Sequence, residues 1–571
     1  MSIVSIILPG NLWLIFLKKC VKKGRVYLSI VNGYHDPKRG HAVQVTYKSF
    51  GTGSGLLEQG ITDPVAYCEE LVKKLNFEDN RKKCEEVTDR APIKFGGHFL
   101  VNAVLNKLGV KDFIDILSLT TNYQFSLYDV FCALLFSRII KPCSKYQTFN
   151  EVIPYLDKQY SFSYDQLLSG LSYFGDNYEK FVEIFTKLVH EKYKLDTYNA
   201  YFDCTNFYFE IDREDELRRK GPSKENRPLP LVGMGLLLDG NQIPIGLKLF
   251  PGNESEKSKI REIIEELRRS NDIKNRIVQV ADKGLNCARN IHSAVKAGDG
   301  YIFSKSCKML PETEKTWLFN PNDYRDIKDS EGNVLYRIKE CIDDYYYSYE
   351  DNGTKTGFKV TEKRVVTYNP SLARKQLAEI EKLENKAREL SLARAAKDEY
   401  GECSKYVSFK GRDGSKARAE LNLKKLKEDK ELCGFNLMVT SEIKLSDNDI
   451  YRIYHNLWRI EESFRIMKSE LDARPVYLQK SSTIFGHFLI CYIATLITRI
   501  LQIYELNDED SYQAIFKFIR DFQLAKCNGK YVNLLTKSDF LNKISELTKL
   551  PVKSALLTQK QYEKIMNYRF K

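Results

Sequence analysis

The chain runs to 571 residues, several times the length of an ordinary domain, so about three or four folding units are expected. Lys and Arg outnumber Asp and Glu by 89 to 76, a formal charge of +13 that favours a polyanionic partner, nucleic acid first among them. Thirteen cysteines carry no C-x2-C pair and no paired Cys/His spacing, which argues against a structural zinc site and fits small buried residues in a reducing cytoplasm.

Residues 3–17 form an apolar opening, but Pro9 and Gly10 interrupt it, it is shorter than the roughly 20 residues that span a bilayer, and its positive charges follow it. It reads as an extension ahead of a start near Lys18. Two alternating runs, R-V-Y-L-S-I-V and H-A-V-Q-V-T-Y, flank the turn-rich N-G-Y-H-D-P-K-R-G and predict a β-hairpin within residues 1–60. From 61 to 195 apolar residues recur at three-and-four spacing, giving a helical region suited to DNA binding and assembly, or a bundle that merely packs on the core.

Residues 196–305 change period. A strand over 198–211 carries Asp203; a hairpin turns at Asp239-Gly240-Asn241; Lys257–Arg269 is an amphipathic helix; Ile277–Val280 is a strand that ends at Asp282. That order opens a ribonuclease-H-like α/β fold. Far more residues separate Asp282 from Glu461 than one strand and one helix need, so 306–430 is read as a β-rich insertion with a charged helix from about Leu372 to Lys397. The core resumes over 431–482 with the strand F-N-L-M-V-T at 435–440. A C-terminal helical region, 483–571, closes the chain. Its apolar stretch Phe485–Leu501 contains Arg499 and reads as a buried helix, with His487 a packed or hydrogen-bonded core histidine. The predicted class is α/β: a mixed-sheet core interrupted by the insertion, with an N-terminal hairpin plus helices and C-terminal helices.

The chemistry-bearing segment is Tyr451–Leu471, predicted as one helix. Tyr454, Glu461 and Lys468 lie seven apart, close to two turns, so a phenol, a carboxylate and an ammonium share a face. Asp203 and Asp282, each at the end of a buried strand, together with Glu461 supply the hard oxygen ligands magnesium prefers, which points to metal-dependent phosphoryl transfer. Singly, each residue has an ordinary alternative: Asp203 capping a turn, Asp282 capping a helix that starts at Asn286, Glu461 and Lys468 on a solvated face. The ordered set outweighs them.

Asp203-Cys204-Thr205, then Ala281-Asp282-Lys283-Gly284 with Asn290, then Tyr454, Glu461 and Lys468 resemble the three blocks of DDE-type insertion-sequence transposases whose glutamate lies in a Y-x2-R-x3-E-x6-K signature. Leu457 stands where that signature has arginine. Further likeness appears at Arg474-Pro475-Val476-Tyr477 and Gly486-His487-Phe488, and the resemblance covers roughly 195–500. It implies cleavage at the ends of an insertion sequence and joining of the freed 3′ ends to target DNA. Asp203, Asp282 and Glu461 would be the catalytic metal ligands for two magnesium ions, with manganese a substitute. Tyr454 and Lys468 would grip the DNA, Arg465 would replace the missing arginine better than Arg459, and Trp317 would stack an extruded base unless it is a core or interface tryptophan. Partners would be double-stranded DNA, as terminal inverted repeats and target, and a second copy in a synaptic homodimer; the setting would be cytoplasmic, without a membrane. The alternatives are a transposase-derived DNA-binding protein that no longer cuts and a metal-dependent nuclease without strand transfer.

Overall fold

The computed structural model describes residues 14–22, 24–36, 41–88, 93–222, 228–271, 275–351, 353–392, 397–410, 418–474, 476–527 and 529–571. Most of the apolar opening, and Pro475 of the R-P-V-Y segment, lie outside them. The chain forms two compact units, Val104–Thr148 with Ser161–Tyr512, and Met1–Ala103 with Phe149–Tyr160 and Gln513–Lys571.

The larger unit is built on a nine-stranded mixed sheet. Its elements in chain order are β1 (Asn199–Tyr208), β2 (Leu231–Leu238), β3 (Pro244–Pro251), α1 (Glu256–Asn271), β4 (Val278–Ala281), α2 (Ala288–Lys296), β5 (Gly300–Lys305), β6 (Arg325–Lys328), β7 (Val334–Asp351), β8 (Thr354–Tyr368), α3 (Pro370–Leu392), β9 (Phe435–Thr440), α4 (Asp447–His455), α5 (Trp458–Arg465) and α6 (Ser481–Ile500). The strand order is β6-β7-β8-β9-β5-β4-β1-β2-β3. β1, β2 and β3 are antiparallel neighbours, whereas β4 runs parallel to β1 and β5 parallel to β4.

β2 reads L-V-G-M-G-L-L-L and every residue in it is buried, as a strand covered on both faces requires. Gly233 faces Phe250 across the ladder, and a Cβ there would fall 2.1 Å from the phenyl ring. The glycine makes room for the aromatic.

The strands expected in the insertion do not make a sheet of their own. β8 pairs with β9 from Lys363↔Thr440 to Tyr368↔Phe435, so the long β7–β8 hairpin extends the core sheet. The reason lies in Val365 and Val366, which are fully buried: a strand end covered by neighbours needs a ladder partner, and β9 supplies it. Among the described residues of 306–430, the separate sheet is the short ladder of Val407–Lys410 with Arg418–Leu421.

α6 is the core helix of this unit. Ser481–Glu505 is long and apolar enough to cross a membrane by length and composition, yet 94% of its apolar window is buried inside the protein. It crosses the helix Tyr164–Asp176 with backbones nearly touching: a Cβ on Gly175 would meet the Ser482 carbonyl oxygen at 1.7 Å, and one on Gly486 the Leu171 carbonyl oxygen at 2.1 Å. Glycine at both positions permits the crossing.

In the smaller unit the predicted hairpin gains a strand. Leu14–Lys22 pairs with Arg25–Asp36, which pairs with His41–Thr52, so the end of the apolar opening is sheet. The C-terminal region, expected to be helical, also carries Gln523–Cys527, Lys530–Asn533 and Leu556–Thr558, which join Ile93–Phe95 in a four-stranded antiparallel sheet. These strands have three to five residues, too short for an apolar period to register in the sequence.

Candidate active site

Phe202 of β1 and Ala281 of β4 are paired across a parallel ladder, so the next residue on each strand places Asp203 and Asp282 side by side on one face of the sheet. Asp203 is a mid-strand residue and not, as expected, a strand end, whereas Asp282 directly follows β4. Asp282 caps no helix either: α2 begins at Ala288, with Cys287 at its N-cap. Three donors instead converge on its Oδ1, the Lys283 backbone N–H at 2.6 Å, the Ser304 hydroxyl at 2.8 Å and the Tyr454 hydroxyl at 3.3 Å. Among the described residues no donor reaches Oδ2. Asp203 Oδ1 accepts the Cys204 backbone N–H at 2.7 Å. Asn290, buried, donates to the Leu285 carbonyl and accepts from Arg261, which ties down the loop that follows Asp282.

Ser304 is the member that sequence reasoning missed. It lies on β5, whose Phe303 pairs with Ala281, and its only signal is a hydroxyl at the end of the apolar run G-Y-I-F-S. Tyr454 is half-buried beside it. Burial, and then the Asp282 carboxylate, push its hydroxyl above the ordinary phenol range, so it stays a donor at working pH.

The predicted single helix from Tyr451 to Leu471 is interrupted. α4 ends at His455 and α5 starts at Trp458, and across the break and into α5 Leu457, Arg459 and Ile460 donate to carbonyls three residues back. Such tight steps turn the chain by about 120° per residue against about 100° in an α-helix, so spacing by sevens no longer fixes a common face for Tyr454 and Glu461. Glu461 is exposed and, among the described residues, makes no hydrogen bond or ion pair. Its neighbour Glu462 takes the structural part, accepting from the buried Arg499 at 2.7 Å and from Arg459 at 3.4 Å. α5 packs over β1, and beyond it Lys468 sits with Nζ 5.5 Å from the ring centroid of Phe207, which shares the β1 face with Asp203.

A cleft of about 680 Å³ opens from Asp282 and Ser304; Lys283, Lys305, Lys308, Lys382 and Lys405 line it together with Glu379, Glu402 and Asp429, the last paired with Lys308 at 2.6 Å. Burial lowers the proton affinity of Lys305, and Arg364 adds to the effect. Residues 213–497, which include this cleft, Asp282 and Glu461, match the family model of the transposase DDE domain. The chain belongs to the DDE transposase family. A search of curated proteins finds no match to it. Asp203 lies just ahead of the matched stretch.

The remaining residues expected to contact DNA are dispersed in the transposase. Arg465 is exposed on the last turn of α5 and forms no ion pair with Glu461. Arg459 is committed to Asp508 at 2.6 Å as well as to Glu462. Trp317, in the helix Glu312–Phe319, is half-buried, with Lys339 Nζ 5.0 Å from its ring centroid and bonded to its carbonyl oxygen. For a hard divalent cation the aspartate pair is a suitable donor set: two carboxylates on adjacent strands, one oxygen of Asp282 uncommitted. The expected three-acid convergence is not formed, since among the described residues no three His, Cys, Asp or Glu side chains stand close enough to hold one ion.

Proposed function

We propose that this transposase cuts DNA at the ends of its own insertion sequence and joins the freed 3′ ends to target DNA. The observation that carries the reading is the side-by-side placement of Asp203 and Asp282, with Asp282 held by Tyr454 and Ser304, inside a chain of this family. The sheet order β3-β2-β1-β4-β5, with three antiparallel strands and two parallel ones, supports a ribonuclease-H-like core.

In this reading Asp203 and Asp282 hold magnesium and Glu461 is the third acid. The metal, when bound, supplies Lewis-acid activation and neutralises charge on the phosphate. Lys283 N–H, Ser304 and Tyr454 keep Asp282 Oδ1 occupied, so its Oδ2 is the oxygen presented to the reaction. Exposed Glu461 has no partner among the described residues and can be recruited without breaking an ion pair there. Lys283 and Lys305 of the cleft, with Lys468, attract the phosphate backbone. Double-stranded DNA, a homodimer that brings two ends together and a cytoplasmic setting belong to the same proposal.

Purified protein is incubated with magnesium and labelled DNA carrying the element's ends. Cleavage products and joined strands are expected for the wild type, and binding without cutting for Asp203→Asn, Asp282→Asn and Glu461→Gln. Full magnesium-dependent cutting by one of these variants removes that residue from the mechanism. Binding without any cutting by the wild type favours a DNA-binding protein instead.

A further inference from the structure

A second cavity of the larger unit, about 570 Å³, is lined by Arg138, Ser144, Lys145, Tyr477 and His487 among others, with Asp472 the one carboxylate among the described residues of its wall. Arg138, Lys145 and His487 are all buried, at 6%, 8% and 3% exposure. Arg138 donates to the carbonyls of Cys143 at 3.0 Å and Leu471 at 3.4 Å. Lys145 Nζ lies 3.3 Å from His487 Nδ1, and His487 Nε2 lies 3.1 Å from the Ala473 carbonyl, which fits a neutral imidazole that accepts from lysine and donates to the backbone. Among the described residues, neither Arg138 nor Lys145 has a carboxylate within ion-pairing distance.

Two buried cations with only neutral partners are costly to a fold, because desolvation is not offset by a counter-charge. They are retained here at the wall of a cavity large enough for an oxyanion. We propose that the Arg138–Lys145–His487 cavity is a phosphate-binding site, and that the phosphate it takes belongs to the backbone of a DNA strand lying across the active site.

The choice of DNA rests on the proposed function and on location. The wall residues Asp472, Val476, Tyr477 and Leu478 follow in the chain the segment that places Lys468 over Phe207, and Arg474 stacks on Tyr208 with 4.8 Å to the ring centroid. Tyr208 is five residues along β1 from Asp203, about 17 Å at strand rise, a few nucleotides along a strand. Burial holds the Lys145 ammonium well below its ordinary range, with Arg138 adding to it; burial, then Lys145 and then Arg138, lower His487. A bound dianion would reverse that balance. The site also accounts for the R-P-V-Y and G-H-F segments, which the three acids do not use.

The test uses the full chain, with inorganic phosphate and an element-end duplex as separate probes. At constant ionic strength, phosphate should raise the melting temperature of the wild type saturably by a few degrees. Lys145→Met, which removes a buried charge, should melt no lower than the wild type without phosphate and keep less than about a third of the phosphate increment. A lysine that serves only the fold gives the opposite pair, a lower melting point and an unchanged increment. With the duplex, Lys145→Met should flatten the plot of log affinity against log salt by about 0.7–0.9, one phosphate contact. Loss of the increment with an unchanged slope assigns the site to free phosphate and overturns the DNA source. No saturable phosphate effect in the wild type, or an unchanged increment in the variant, overturns the site. Lys145→Gln repeats the series should the methionine variant be insoluble. Failure of the wild type to cut DNA bears on the proposed function and leaves the inorganic-phosphate result standing.

Discussion

Removing the hydroxyl of Tyr454 separates two roles for that residue. The resemblance to related transposases assigns it to gripping DNA, whereas the structure shows its hydroxyl donating to Asp282 Oδ1 at 3.3 Å. A hydrogen bond to a charged group is worth about 1.5–3 kcal/mol, or roughly 10- to 150-fold in rate if all of it is felt in the transition state. The lower end applies here, because this is the longest of three contacts on that oxygen and the Lys283 N–H and Ser304 hydroxyl remain at 2.6 and 2.8 Å. Tyr454→Phe should therefore cut element-end DNA about 3- to 30-fold more slowly, while duplex affinity stays within about twofold. Ser304→Ala should cost more, since its bond is shorter. Single-turnover cleavage at saturating protein, beside a gel-shift titration of the same preparation, gives both numbers. Normal cleavage by Tyr454→Phe with weakened binding would refute the positioning role and restore the grip.

Arg465→Ala should lower the salt dependence of duplex binding by about one phosphate contact without changing stability, while Arg459→Ala, which breaks the pairs to Asp508 and Glu462, should cost on the order of 1 kcal/mol of stability and leave the salt slope alone; equal binding curves for the two would end the idea that Arg465 replaces the signature arginine. Asp239, fully buried at the β2–β3 turn, has its carboxyl pushed up to about 7 by burial against an unfolded value near 4, so the folded state holds the proton more tightly. Its contribution to stability is complete below about pH 4 and is lost as pH rises toward 7, a fall of a few kcal/mol that Asp239→Asn should remove from the difference between denaturation curves at pH 5 and pH 8; parallel pH profiles for the two proteins would contradict this. Gly486→Ala, which drives a Cβ into the Leu171 carbonyl, should destabilise by about 2–4 kcal/mol, whereas Gly284→Ala, with nothing within 4 Å of the added atom, should leave melting unchanged. Equal melting temperatures for these two variants would mean that the α6 crossing is looser than described.

Much of the core was legible because its signals are local. β1, α1, β4 and β9 fall within a few residues of the segments read from period and composition, since a buried strand and an amphipathic helix each impose a repeat on their own residues. The order of Asp203 and Asp282 along the chain was visible for the same reason, and so was the buried character of the helix around His487. Partnership was not visible. That β8 joins β9, that Ser304 reaches Asp282, and that Lys145 meets His487 depend on which distant segments are brought together, and no repeat within a segment encodes its neighbour. The glutamate helix marks the boundary between the two kinds of information. Spacing by sevens placed Tyr454, Glu461 and Lys468 on one face on the assumption of an unbroken α-helix. Three i→i−3 bonds around Leu457 break that helix, and it is Glu462 that binds Arg499. The residue types and their order came from the sequence by itself; which oxygen faces which was decided by tertiary packing, because a few tens of degrees of helical rotation cost little locally and are selected by the contacts on either side.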